Sequence, residues 1–372
     1  MGPGLRLLIW GFLVAIAYWP GILSAAFVPR WAVVAIGVAL VGKIDPRALT
    51  RPILWLLVAA LTAAALSVLQ SPDRRGGLLE LFYFVAFAGV FVVSSGFQSI
   101  TPALRGLCAG LVLSSVLCLW QLSGWSVVPQ ASVPAGLFFS REVLAEFAAP
   151  LLVWAIVRRE WLCILAAIVP VALCDSRVAF ASVAVGLLAA WRVPWQTKCL
   201  TLVPIALAAV AMLFVFGAEK FSTGGLRMVL WGATAMAIRP WPQGLGWFLA
   251  VHPNEQFAHS DLLQVLAEFG VIGALPLLAI FVLMLKYGNG ERGERAAFVA
   301  ISVEAIVSFP LHVPATGFLA FLLAGHLARR RIGVCDHGYG GRIDAGADLL
   351  RSPDNGIGNH AAGRSGRRAF SL

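Results

Sequence analysis

The stretch "AHSDLLQVLAEFG", residues 258–270, places a histidine, an aspartate and a glutamate where a polar loop gives way to a long apolar run. An imidazole at His259, with an unperturbed pKa of about 6.5, can take or give a proton near neutrality. His259 and Ser260 fall at a helix entrance, where unpaired backbone N–H groups and the positive end of the dipole suit an anion. Asp261, Gln264 and Glu268 recur at spacings of three and four and so share one helix face, while Leu262, Val265, Leu266 and Phe269 cover others. At about 1.5 Å per residue, Glu268 lies roughly 10 Å deeper than Asp261. A carboxylate at that depth calls for an arginine or a backbone donor from a neighbouring helix. Gly270 and Gly273 read as close-packing positions between helices.

Cations are the natural company for such a site. Arg177, in "CDSRVAF", sits in a tight turn between two short apolar runs, where it serves either an anionic ligand or Asp175. Residues 226–238 form a short amphipathic helix, with Arg227 near its start and Arg239 at its end before Pro240 stops it. "PWPQGLGW" then turns through Pro240, Pro242, Gly244 and Gly246. Trp241 and Trp247 suit either sugar stacking or an interfacial aromatic belt, and the belt is the commoner use. Arg141 is a further cation, and its neighbour Glu142 is either a second base or the partner of Arg141. Guanidinium groups bind diphosphate in bidentate fashion and neutralise charge as it develops on a leaving group. Arg30, Arg74 and Arg75 need less explanation, since Asp73 adjoins the pair and all three can snorkel to headgroups.

The elements that must hold these residues are set by composition. The chain has 372 residues, 60% of them hydrophobic and 12% charged, with a mean hydropathy of +0.86. Ordinary soluble domains run near 45–50% apolar and about 25% charged, so a polytopic all-α membrane protein is expected. The formal charge of +10 does not indicate nucleic acid, because the basic residues sit at the ends of apolar segments and in the C-terminal tail. Cys108, Cys118, Cys163, Cys174, Cys199 and Cys335 have no C-x-x-C spacing and read as small packing residues rather than disulfides or zinc ligands.

Membrane helices need about 20 apolar residues. Clear runs lie at 5–24, 52–69, 78–95, 102–122, 200–217 and 262–285, and shorter ones at 28–44, 142–157, 161–174, 178–191, 297–311 and 315–327. Together they give about 12 spans, or ten to eleven if two short runs are re-entrant. The first run is expected to be a span rather than a cleavable signal. An inside N-terminus places Lys43, Arg47, Arg51, Arg105, Arg158, Arg159, Arg192, Lys198, Lys286, Arg292, Arg295 and Arg329–Arg331 on the cytoplasmic side. Both termini are then cytoplasmic, while the 123–141 connection and a larger loop at about 217–258 face outward. Residues 1–327 form one membrane domain, and 328–372, rich in Gly, Arg, Asp and Ser, read as a disordered cytoplasmic tail.

Four stretches carry a family likeness: "DSRVAF", "LRMVLWGATAMAIRPWPQGLGWF", "AHSDLLQVLAEFGVIGALPLL" and "SFPLHVPATGFLAFLLAGHL". Across roughly residues 130–327 the chain resembles the O-antigen ligase/polymerase family of bacterial inner-membrane proteins, which includes O-antigen ligases, O-antigen polymerases and protein O-oligosaccharyltransferases. His259 and Gly270 match the H-x10-G pattern of the ligases. The resemblance implies a metal-independent transferase without cofactor. It would take an undecaprenyl-diphosphate-linked glycan donor at the periplasmic face and pass it to a hydroxyl acceptor, be it glycan or lipid A-core. Other polysaccharide assembly proteins are the partners such an enzyme would have. Arg177, Arg227 and His259 match the family's functional outer-face residues. Trp231 stands four residues after Arg227 where the ligases have Leu, and Glu142 stands where the family usually has Asn. These departures weaken the match to the lipopolysaccharide ligase itself. Polymerase and ligase differ in the acceptor, which the sequence does not show, and the reading leans to an exopolysaccharide or O-antigen polymerase.

In the mechanism expected from these residues, an acceptor hydroxyl attacks the anomeric carbon and lipid diphosphate leaves. Arg177 and Arg227 neutralise the diphosphate, helped by Arg141 or Arg239, and His259 either removes the acceptor proton or donates to a phosphate oxygen. A transporter or flippase of lipid-linked saccharides is the competing class, since many spans and basic cavities suit that task too. The chain has no evident internal repeat of the kind many transporters carry, and its unusual polar residues collect at one face, which favours an enzyme.

Overall fold

The computed structural model describes residues 2–19, 26–41, 48–125, 130–174, 176–191, 221–252, 258–288 and 290–329, with only the backbone at 221–227. Every regular element among these residues is helical: α1 (Pro3–Ile16), α2 (Val28–Val41), α3 (Arg51–Leu69), α4 (Arg74–Ser95), α5 (Thr101–Gln121), α6 (Arg141–Arg158), α7 (Trp161–Leu173), α8 (Arg177–Ala190), α9 (Phe221–Ala237), α10 (Trp247–Val251), α11 (Asp261–Tyr287), α12 (Arg292–Val307) and α13 (Pro314–Leu327). A 3-10 turn, Pro310–His312, joins the last two. Four of the helices, α3, α4, α5 and α11, are long and apolar enough to cross a membrane. The run at 200–217 expected to be a span lies outside the described residues, as do Asp175 and the tail from 330 onward.

Local chemistry explains where helices begin. Asp73 accepts from Arg75 N at 3.1 Å, and Ser140, Ser176 and Ser260 accept from the N–H three residues on, each at 3.3 Å. These side chains satisfy donors that a helix start leaves unpaired. Proline opens α1, α3, α5 and α13 within their first two positions, where its missing N–H costs nothing. Two runs end earlier than apolarity suggests. The first stops at Ile16 instead of continuing to 24, and α12 stops at Val307 instead of 311, where Ser308 is extended (φ −146°) ahead of Pro310.

Polar contacts mark the two ends of the helix bundle. At one end Arg105 Nη2 donates to Glu160 Oε1 at 2.7 Å, Arg158 pairs with Glu291, and Arg329 Nη1 donates to Gln98 O at 3.1 Å. Arg329 also bridges Leu49, so this residue belongs to the bundle and not to the tail expected from 328. The opposite end is roofed by loops. Gln121 at the close of α5 accepts from Ala135 N and Gly136 N and donates to Gln130, which in turn donates to Gly136 O and Phe138 O.

Arg30 corrects an expectation. Instead of snorkelling to headgroups it is buried under the 130–140 loop, 4.2 Å from the Phe138 ring centre. Its guanidinium donates to Val14 O (3.0 Å), Ala15 O (2.9 Å), Ala26 O (2.8 Å) and Leu137 O (3.1 Å). Carbonyls at the end of α1, which lack helical partners, thereby meet a fixed fork of donors.

Candidate functional site

His259 lies at the loop-covered end, one residue before the Ser260 cap of α11. Its backbone is left-handed (φ 54°), a conformation in which His is enriched among non-glycine residues. Its carbonyl accepts from Trp231 Nε1 of α9 at 3.1 Å, and its ring meets Phe309 edge-on, with centroids 5.1 Å apart. Arg227 stands one helical turn before Trp231 in α9. Leu230 of the same helix packs with Phe248 and Ala258, tying α9 to α10 and to the approach to α11.

The polar stripe of α11 is buried, and each member binds a different covering segment. Asp261 N donates to Ser308 O at 2.9 Å, Asp261 Oδ2 accepts from Leu311 N at 2.7 Å, and Asp261 Oδ1 lies 2.5 Å from His312 Nδ1. Gln264 Oε1 accepts from Ala258 N at 3.1 Å, and Glu268 Oε1 accepts from Gln264 Nε2 (3.2 Å) and Phe248 N (3.4 Å). The backbone donor expected for Glu268 is thus present, and the side-chain partner of Asp261 is a histidine, His312. Burial disfavours the His312 imidazolium, but the hydrogen bond to Asp261 and the charges of Asp261, Glu80 and Glu268 outweigh it. Its pKa is pushed up to about 9.

The polar chain continues away from Asp261. Ser308 Oγ lies 2.8 Å from both carboxylate oxygens of Glu146 in α6, and Ser308 N donates to Glu304 O at 2.7 Å. Glu304 Oε1 accepts from Ser182 Oγ of α8 at 2.7 Å. The helix that begins with Arg177 is thereby joined to the turn that clamps Asp261.

Gly270 is not merely a packing position. It takes φ 67° and ψ 167° and breaks α11 in two, a conformation essentially confined to glycine. The break turns backbone groups outward, and residues 239–244 meet them: Val271 N donates to Arg239 O (2.9 Å), Ile272 N to Pro240 O (3.3 Å), Gln243 N to Ala267 O (3.2 Å) and Gly244 N to Glu268 O (3.1 Å). A Cβ at Gly270 would collide with the Trp241 carbonyl carbon and stand 2.7 Å from Pro240 O. Glu268 therefore sits beside a protein-filled break, covered by residues 244–248. Gly273 does pack as expected: a Cβ there would lie only 3.3 Å from the Ala63 methyl of α3.

The other sequence-predicted residues are spread over the same end. Arg177 is exposed at the first position of α8. Arg141 Nε pairs with Glu142 Oε1 at 3.2 Å, and Glu142 Oε2 also receives Ser132 Oγ at 3.3 Å, the pairing that competes with a base role for Glu142. Arg239 is exposed and donates to Met236 O (2.9 Å) and Ile238 O (3.3 Å), closing its own helix. Trp241 is 68% exposed, and Trp247 is half-buried with its ring edge-on to His252. The exposed residues Met228, Val229 and Met236 fall on one side of α9, as an interfacial helix requires. Sequence reasoning missed His312, Glu80, Glu146 and Glu304. An ionisable residue in "SFPLHVP", between two apolar runs, was the available signal for His312.

No protein-family model and no curated protein matches the chain.

Proposed function

We propose that this chain transfers a saccharide from undecaprenyl diphosphate to an acceptor hydroxyl at the loop-covered end of the bundle, taken as the periplasmic face of a bacterial inner membrane. The observation that carries the reading is the setting of His259: a half-buried imidazole at a helix entrance, tied to α9 through Trp231, with Arg227 one turn away in that helix. Arg141, Arg177 and Arg239 lie at the same end; with Arg105, Arg158 and Arg329 at the other, taken as cytoplasmic in a topology of about 12 spans, cations on the outer face run against the positive-inside rule and call for an anionic ligand.

In this reading the acceptor oxygen forms a bond to the anomeric carbon as the bond to the diphosphate oxygen breaks. The acceptor proton passes to a base, for which His259 is the candidate, and arginines hold the departing charge. A helix broken near the bilayer also suits a transporter, where half-helix ends coordinate cargo. In α11, however, residues 239–244 already occupy those ends, which favours the enzyme.

The test uses purified protein in detergent, a lipid-diphosphate saccharide and a hydroxyl acceptor. Bond formation, lost in His259→Ala and Arg227→Ala proteins that remain folded, is the expected result. Full transfer by the His259→Ala protein removes its chemical role, and absence of transfer by the wild-type protein, with movement of lipid-linked sugar across vesicles, replaces the enzyme with a flippase. A deletion strain separates acceptors: single capped repeat units mark a polymerase, which we favour, and free polymer on the carrier marks a ligase.

A further inference from the structure

His259 keeps a left-handed backbone (φ 54°), strained for a residue with a side chain and held only where the surroundings over-determine it. The surroundings that do so converge on the 308–312 turn. Ser308 O receives the Asp261 N–H, Leu311 N donates to the Asp261 carboxylate, Phe309 puts its ring against His259, and His312 Nδ1 holds the second Asp261 oxygen. We infer that His312 is a positioning residue for His259, acting through Asp261 to clamp the turn onto the entrance of α11; the reaction it serves is the transfer proposed above.

Removing the imidazole leaves the Asp261 carboxylate, 1% exposed, without its closest side-chain partner, and a buried carboxylate in that condition forces local rearrangement. The turn is the element able to move, and it carries Phe309 with it. Asparagine distinguishes this role from proton transfer, because its amide nitrogen occupies the place of Nδ1 and keeps the bond to Asp261 while supplying no titrating group. Among the described residues, the charged and titratable groups around His312 are Asp261 and Glu268 of α11 and Glu80 of α4; behind it the Glu146 carboxylate of α6 takes the Ser308 hydroxyl, and Glu304 of α12, whose carboxylate takes Ser182 Oγ, accepts Ser308 N at its backbone carbonyl.

Two readouts are needed. The first is the rate at which diethyl pyrocarbonate labels His259, followed by peptide mass spectrometry on the full-length protein in detergent, for wild type, His312→Ala and His312→Asn. The second is kcat and KM for transfer across pH. Expected are a changed labelling rate and a loss of kcat on the order of 100-fold in His312→Ala, with KM little altered and both restored in His312→Asn. The Asn protein should also lose the alkaline limb of the pH profile. Unchanged labelling of His259 in His312→Ala overturns the inference whatever the activity. An Asn protein that labels like wild type yet transfers no better than the Ala protein overturns it too, since His312 then acts on the reaction itself. If wild type transfers nothing but labelling changes and is rescued as described, the positioning role stands and the proposed function falls.

Discussion

Gly270→Ala separates two accounts of α11. In one, glycine merely lets helices approach. In the other, it creates the break into which residues 239–244 dock. Alanine cannot hold φ 67°, ψ 167° without strain on the order of 1–3 kcal/mol, and its Cβ would strike the 240–242 backbone. The helix has an easy escape: straightening restores the ordinary bonds from Val271 and Ile272 to the carbonyls of Ala267 and Glu268. The 239–244 segment has none, and all four of its backbone bonds to α11 are lost together. At roughly 0.5–1.5 kcal/mol each they sum to about 2–6 kcal/mol. Even the low end raises the detached population about 30-fold. Hydrogen–deuterium exchange at the Gln243 and Gly244 amides, the segment's two donors to α11, reads that population directly. The variant should keep its helix content while exchange at Gln243 and Gly244 accelerates by at least that factor. Wild-type exchange rates at Gln243 and Gly244 in a folded Gly270→Ala protein would refute the docking account.

Further tests follow from the buried polar chain. His312 has a folded pKa of about 9 against about 6.5 for an unperturbed imidazole. Its contribution is therefore complete below about pH 6.5 and fades as pH rises through 9. It amounts to at most about 3 kcal/mol, seen as a fall in melting temperature between pH 6 and pH 9.5 that His312→Asn abolishes. Ser308→Ala removes the hydroxyl from the Glu146 carboxylate and should destabilise by about 1.5–3 kcal/mol, measured by thermal unfolding in detergent. Trp231→Phe, which keeps an aromatic ring but deletes the donor to His259 O, should cost about 0.5–1.5 kcal/mol and slow transfer without weakening donor binding.

Helix positions are legible in the sequence because they are local. Ser140, Ser176 and Ser260 cap, prolines open, and apolar runs extend between them, so α3, α5, α6, α7, α8 and α13 fall within a residue or two of their expected limits. What escapes depends on distant partners. Asp261 announces that it needs one, but His312 is 51 residues away and nothing in the spacing singles it out from an arginine. Gly270 resembles a packing residue because a backbone segment entering a helix break has no side-chain signature. Arg30 resembles an interfacial cation for the same reason, since its acceptors are all carbonyls. At the site itself, His259 and Trp231 are foreseeable as neighbours only in the sense that both lie on segments expected to face outward; their hydrogen bond is a product of the tertiary fold.

The four acceptors of Arg30 also bear on how the protein is made. Val14, Ala15 and Ala26 leave the ribosome before Arg30 itself, but Leu137 follows 107 residues later. Phe138, over whose ring the guanidinium lies, arrives with it. Until then the guanidinium has only part of its shell, so the packing of α1 beside α2 is completed late. A truncated chain ending before residue 130 would leave Arg30 without the Leu137 carbonyl and the Phe138 ring, and closure of the loop roof becomes the step that completes the N-terminal half.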